Sequence, residues 1–272
     1  MNKNVNKYIH HRYKKIEGWI SSLALRAIVK LSHIQYQNNV NGSVCEIGVH
    51  HGRSFILLHM LINSNEESIA IDLFEMQSDN IDKSGKGDKE KFIKNLKNNF
   101  CDLDRVKIIT KNSLNISQEY LLEQSGSKIR IFSVDGGHSA EVVNNDLKLA
   151  ENTICKGGII ILDDFFVNSW PGVSEGACKY LMNGETNLIP FSTFDGKILF
   201  TNDKQLKELY IQGLSDMHPE FLYKESMFFN NKIIVLYKSR NDTIDFFRKT
   251  KLWQLIKNSK SGLLVRRIFT LK

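Results

Sequence analysis

What the 272-residue chain lacks narrows its class before any motif is read. Only three prolines and no low-complexity tract are present, which excludes a disordered or fibrous polypeptide. No run approaches about 18 consecutive apolar residues, so no transmembrane helix is expected. The opening residues, Met1 to Lys7, are polar and charged and offer no secretory apolar core. Cys45, Cys101, Cys155 and Cys178 are scattered without a C-x-x-C pair. Neither a disulfide scaffold nor a zinc site is indicated, and a reducing cytoplasm is the expected setting. What is there is ordinary for a folded domain: 42% hydrophobic and 25% charged residues, on a chain long enough to bury a substantial core.

The net charge of +7 invites a nucleic-acid partner, and its distribution argues against one. Residues 1–40 carry +6 and residues 241–272 another +6, leaving −5 for the 200 residues between. An acidic body with two basic ends is not the footprint of a nucleic-acid groove. The last segment, 244–271, is basic and aromatic at helical spacing. It fits an amphipathic helix packed on the body, with peripheral contact to an anionic membrane or docking on a partner subunit as the alternatives.

Hydrophobic periodicity divides the chain into an N-terminal helical extension (1–40), a central domain (41–240) and the basic tail (241–272). Helical spacing runs from about 16 to 34, and Asn41-Gly42 then marks a turn. Short apolar runs follow at 44–47, 69–71, 106–109, 129–134 and 158–162. Amphipathic stretches around 54–62, 89–99, 117–123 and 141–153 separate them. Buried strands alternating with helices predict a Rossmann-like α/β fold, a mostly parallel sheet with helices on both faces. After Pro190, strands at 197–201 and 227–238 flank a helix near 204–213 and suit an antiparallel edge. The loops expected around the site are the polar stretch 77–89 and Trp170-Pro171-Gly172-Val173.

Three constellations carry chemistry. In Val44-Cys45-Glu46-Ile47-Gly48-Val49-His50-His51-Gly52-Arg53-Ser54 a buried strand ends in an acid and a glycine turn opens a helix. Gly48 would let a ligand approach the backbone, and Gly52 with Ser54 would present free amides. The spacing is not the G-x-G-x-x-G of dinucleotide sites, and Glu46 would repel a pyrophosphate while suiting an ammonium group. Asp72 ends the next strand, where a carboxylate can hold ribose hydroxyls; a turn cap is the plainer use of such an Asp. Asp135, in Asp135-Gly136-Gly137-His138-Ser139, and the pair Asp163-Asp164 end two further strands whose carboxyl ends share a crevice in a parallel sheet. Three carboxylates gathered without partners repel one another, so a divalent cation is their natural neutraliser, and an all-oxygen set favours Mg²⁺, Mn²⁺ or Ca²⁺.

The order E-x-G-x-x-x-G-x-S, an Asp after the second strand, D-G-x-H-S and G-G-x-x-x-x-D-D resembles the class I S-adenosylmethionine-dependent methyltransferases. More narrowly it resembles the metal-dependent sugar O-methyltransferases of antibiotic and polysaccharide pathways, over residues 41–240. The resemblance implies S-adenosylmethionine as methyl donor. Glu46, Gly48, Gly52 and Ser54 would hold its methionine moiety, Asp72 its ribose, and Asn112 and Ser113 its adenine, with Asn112 where an Asp is usual. It further implies Mg²⁺ (or Mn²⁺) on Asp135, Asp163 and Asp164, His138 as general base, and a hydroxyl of a sugar or glycan precursor as acceptor. An aromatic, catechol-like acceptor and a non-catalytic binding module are the rival readings; no nucleic acid is expected.

Overall fold

In the computed structural model, which describes residues 3–80, 83–217 and 221–238, each early apolar run becomes a parallel strand. These are β1 (Ser43–Ile47), β2 (Ser68–Asp72), β3 (Val106–Thr110), β4 (Ile129–Val134) and β5 (Ile154–Leu162). Every residue of β1 and β4 is buried, which is why their apolar residues do not alternate with exposed polar ones; the polar residues they carry, Ser43, Glu46, Arg130 and Ser133, are buried too. The crossovers run through α3 (Phe55–Met60), α4 (Lys89–Asn98), α5 (Gln118–Ser125) and α6 (Ala140–Thr153).

The remaining elements are α7 (Pro171–Met182), β6 (Ile189–Phe194), β7 (Lys197–Thr201), α8 (Lys204–Ser215), β8 (Phe221–Phe228) and β9 (Asn231–Lys238). They complete a nine-stranded sheet of order β3-β2-β1-β4-β5-β7-β6-β9-β8. Strand β7 runs antiparallel to β5 and β6, and β8 is antiparallel to β9. Apolar clusters cover both faces of the sheet, so the expected Rossmann-like fold with antiparallel C-terminal strands is the one observed. Strand order reverses between β1 and β4, and the carboxyl ends there open the crevice in which such sheets bind ligands. No helix among the described residues is long and apolar enough to cross a membrane.

Helices α1 (Lys3–His10) and α2 (Ser22–Gln37) share the core beneath one face of the sheet. Residues 16–20, expected to be helical, are extended or turning. Gly18 sits at φ +141°, and the Ser21 hydroxyl caps α2 by accepting the Ala24 N–H at 3.0 Å, so the helix starts at Ser22. Buried Arg130 of β4 ties α2 to the sheet. Its guanidinium donates to Glu66, Ser32, Gln35, the Tyr36 hydroxyl and the Leu61 carbonyl at 2.6–3.3 Å.

Two further expectations are corrected. Trp170 to Val173 is not a loop: Pro171 takes the first turn of α7, where its missing N–H costs nothing. A Cβ on Gly172 or Gly176 of α7 would lie 2.5 Å from the His138 carbonyl oxygen or 2.7 Å from that of Ala140. The glycines that hide α7 from propensity are thus what lets it pack against α6. The stretch 227–238 is not one strand but the turn and second arm of a hairpin. Phe229 and Asn230, both at positive φ, reverse the chain between β8 and β9. The tail, 241–272, with its membrane or partner role, lies outside the described residues.

Candidate active site

A cavity of about 640 Å³ opens over the carboxyl ends of β1, β2, β4 and β5. Of the residues singled out in the sequence, Gly48, Asp72, Asn112, Ser113, Asp135, His138, Asp163 and Asp164 line it; Glu46, Gly52 and Ser54 do not. Strand alternation explains Glu46, which points between β1 and α3 rather than along the crevice. Its Oε1 accepts the Ser54 hydroxyl at 2.5 Å and the Ser133 hydroxyl at 3.1 Å. Burial pushes this carboxyl up to about 7 despite those hydrogen bonds. Gly52 packs against the Phe92 ring. At Gly48, φ is +87° and a Cβ would stand 1.7 Å from the Asp135 carbonyl oxygen, so only glycine fits between the β1 and β4 turns.

Asp72 closes one end of the cavity. Its two oxygens accept the backbone N–H groups of His50 at 2.7 Å and Phe74 at 2.8 Å. Burial raises its pKa against these two hydrogen bonds. Asn112 and Ser113 follow β3; Asn112 Oδ1 accepts the Leu114 N–H, while Ser113 and Asn145 hydrogen-bond the buried Asp146, whose carboxyl burial lifts to about 6.

The acidic end gathers Asp135, His138 and Asp164, each offering one ligand atom within 4.8 Å of the others. His138 Nε2 lies 2.9 Å from Asp164 Oδ2, and the Trp170 ring stacks on the imidazole at 4.0 Å and 16°. Asp164 is held at φ +55°, turning its carboxylate toward His138. Burial first, then the neighbouring Asp163 charge, holds the Asp135 carboxyl well above the usual carboxylate range, with Lys197 opposing.

Asp163 differs from its neighbours because it already has partners. Its Oδ1 accepts the Asp164 N–H at 2.8 Å and its Oδ2 forms an ion pair with Lys197. Lys197 is 6% exposed; burial would lower its pKa, but Asp163, Asp135 and Glu46 outweigh that and raise it. Sequence reasoning missed this cation. The signal was Asp195-Gly196, a hairpin turn with both residues at positive φ, which places Lys197 at the mouth of β7. Trp19, Ser21 and Asp195 also line the cavity and were missed, the first two because residues 16–34 read as helix.

Residues 45–165 match the family model described as a methyltransferase domain. The chain contains a methyltransferase domain. It has the fold of solved SAM-dependent O-methyltransferases. The O-methyltransferase NovP is 14% identical with a TM-score of 0.55, over 68% of this chain and 82% of that one. CalS11, the TDP-rhamnose 3′-O-methyltransferase of calicheamicin biosynthesis, is 16% identical with a TM-score of 0.51, covering 72% and 86%. TomG from Streptomyces achromogenes, involved in tomaymycin synthesis and solved with SAM, is 14% identical with a TM-score of 0.50, covering 74% and 90%. At such identities the likeness is one of fold. No curated protein sequence matches the chain. The matched segment starts after Trp19 and ends at Phe165, before Lys197.

Proposed function

We propose that this methyltransferase moves the methyl group of S-adenosylmethionine to a hydroxyl of a sugar or glycan precursor, with a divalent cation at its acidic end. One observation carries the reading: a single cavity joins Asp72, suited to ribose hydroxyls, to the Asp135, His138 and Asp164 cluster. NovP and CalS11 support a small hydroxylated acceptor, CalS11 by its TDP-rhamnose substrate.

In this reading Asp72 orients the donor through its ribose, the Gly48 turn and Gly136 underlie the methionine part, and Asn112 with Ser113 flank the adenine. Glu46, with Ser54 and Gly52, acts one layer back by fixing the Gly48 turn. The donor set at the acidic end fits Mg²⁺ or Mn²⁺: Asp135 and Asp164 would hold the ion, and Asp163 would join when Lys197 releases its Oδ2. Such an ion supplies Lewis acidity that lowers the pKa of a hydroxyl presented to it. His138 takes the hydroxyl proton as the methyl group transfers. Trp170, stacked on the imidazole, fixes the ring plane and walls off water. The four free cysteines favour a reducing, cytoplasmic setting.

The test is calorimetry with S-adenosylhomocysteine, followed by methyl-transfer assays on TDP-rhamnose, UDP-glucose and an aromatic vicinal diol, each with Mg²⁺ or EDTA. Cofactor binding with Mg²⁺-dependent transfer to a sugar is expected. Transfer to the aromatic diol alone would replace the acceptor class, EDTA-insensitive turnover would remove the metal, and absence of cofactor binding would overturn the whole reading.

A further inference from the structure

Residues 17–21 cross the cavity mouth from the β1–α3 turn to the β6–β7 turn, held by three contacts. Glu17 lies 3.3 Å from His51 Nδ1, the Arg53 guanidinium donates to the Gly18 carbonyl, and the Ser21 hydroxyl donates to Asp195. Ser21 also caps α2, so the far end of this strap is anchored in a helix buried in the core. Arg53 is itself steadied over the Tyr13 ring, 5.1 Å from its centroid.

On this fixed mount Trp19 is 76% exposed. Its indole stands 5.4 Å from the His50 ring, and both residues line the cavity. Held open by a strap pinned on both sides, the ring presents a preformed face. Gln77 and Asp79 line the same cavity and supply polar groups. An aromatic face with hydrogen-bonding groups nearby suits a pyranose, whose C–H faces stack on indole while its hydroxyls seek polar partners.

We propose that Trp19 is an acceptor-recognition residue, the platform on which the pyranose of a nucleotide-sugar acceptor stacks. The proposal rests on the reading of this cavity as a sugar methyl-transfer site. Trp19 acts on capture of the acceptor and leaves the cofactor, bound below it, untouched. Because the strap begins before the matched methyltransferase segment, acceptor choice here is set by residues outside that segment.

The experiment compares the wild-type protein with Trp19→Ala and Trp19→Phe, full length. Affinity for S-adenosylhomocysteine is measured by calorimetry, then affinity of the cofactor-loaded protein for TDP-rhamnose and UDP-glucose. Trp19→Ala is expected to weaken nucleotide-sugar binding about tenfold, with Trp19→Phe recovering most of it. Cofactor affinity is expected to be equal in all three. Unchanged sugar affinity in Trp19→Ala, an equal loss of cofactor affinity, or no binding of either nucleotide sugar by the cofactor-loaded wild type would overturn the proposal. Failure of the wild type to bind S-adenosylhomocysteine would instead fell the proposed function, and this inference with it.

Discussion

Lys197 forms an ion pair with Asp163, so the acidic end of the cavity carries its own cation. A divalent ion entering there competes with a resident ammonium group for the same carboxylates. Lys197→Met should therefore tighten Mn²⁺ binding roughly tenfold, because the competing charge near Asp135 and Asp163 is gone. The metal-free variant should melt at a lower temperature than wild type, and Mn²⁺ should restore part of the loss. Equal Mn²⁺ affinities by calorimetry would show that lysine and metal do not contend.

His138 is held between Asp164 and the Trp170 ring, an arrangement that fixes one tautomer and one ring plane. If it accepts the acceptor proton, His138→Asn should lower kcat by about a hundredfold or more while S-adenosylhomocysteine binds as in wild type. Turnover within a few-fold of wild type would assign the proton to another group.

His59 connects stability to pH far from the site. It is 6% exposed, lies 2.7 Å from the Ser68 hydroxyl and accepts the Asp102 N–H, and burial lowers its pKa from 6.5 to about 4. The folded state holds it neutral where the unfolded chain would protonate it. Its contribution is complete above pH 6.5 and is lost as pH falls from 6.5 through 4. The loss is on the order of 3 kcal/mol at the acid end. His59→Gln should flatten this acid limb in denaturant titrations between pH 4 and 7; an unaltered limb would assign the effect elsewhere.

Arg130 is the largest fully buried side chain among the described residues, paired with Glu66 at 3.3 Å. Truncation to Ala takes the cationic partner from buried Glu66, which keeps its bonds from Tyr36, Gly42 and Asn63, and breaks five hydrogen bonds at once. Arg130→Ala should cost about 3–5 kcal/mol by urea denaturation. The double change Arg130→Met with Glu66→Gln, which removes both charges, should recover a good part of it.

The parallel half of the sheet was legible because its strands are short apolar runs divided by amphipathic stretches, and burial on both faces leaves little else to write. The acids at strand ends were legible for the same reason, since each breaks an otherwise apolar run at the point where the crevice opens. Glu46 shows where that logic stops: it breaks a run too, but strand alternation turns it into the fold, and two serines hold it there. Lys197 shows a second limit. Its partner is 34 residues away in sequence, and the premise that the carboxylates lack partners fails on a contact that no local pattern announces. Helix α7 was hidden by Gly172 and Gly176, whose use is close packing and not helix propensity. The strap was hidden by Ile16, Trp19 and Ile20, which mimic a helical face although Gly18 and the Ser21 cap forbid one.

The hydrogen bond between Ser21 and Asp195 joins two segments that both fall outside the matched methyltransferase sequence, one before it and one after it. If Trp19 selects the acceptor as proposed, part of the selectivity lies outside the matched segment and is open to change without touching the Gly48 turn or Asp72. On that proposal, grafting a foreign strap would be a way to present new acceptors to the same cavity.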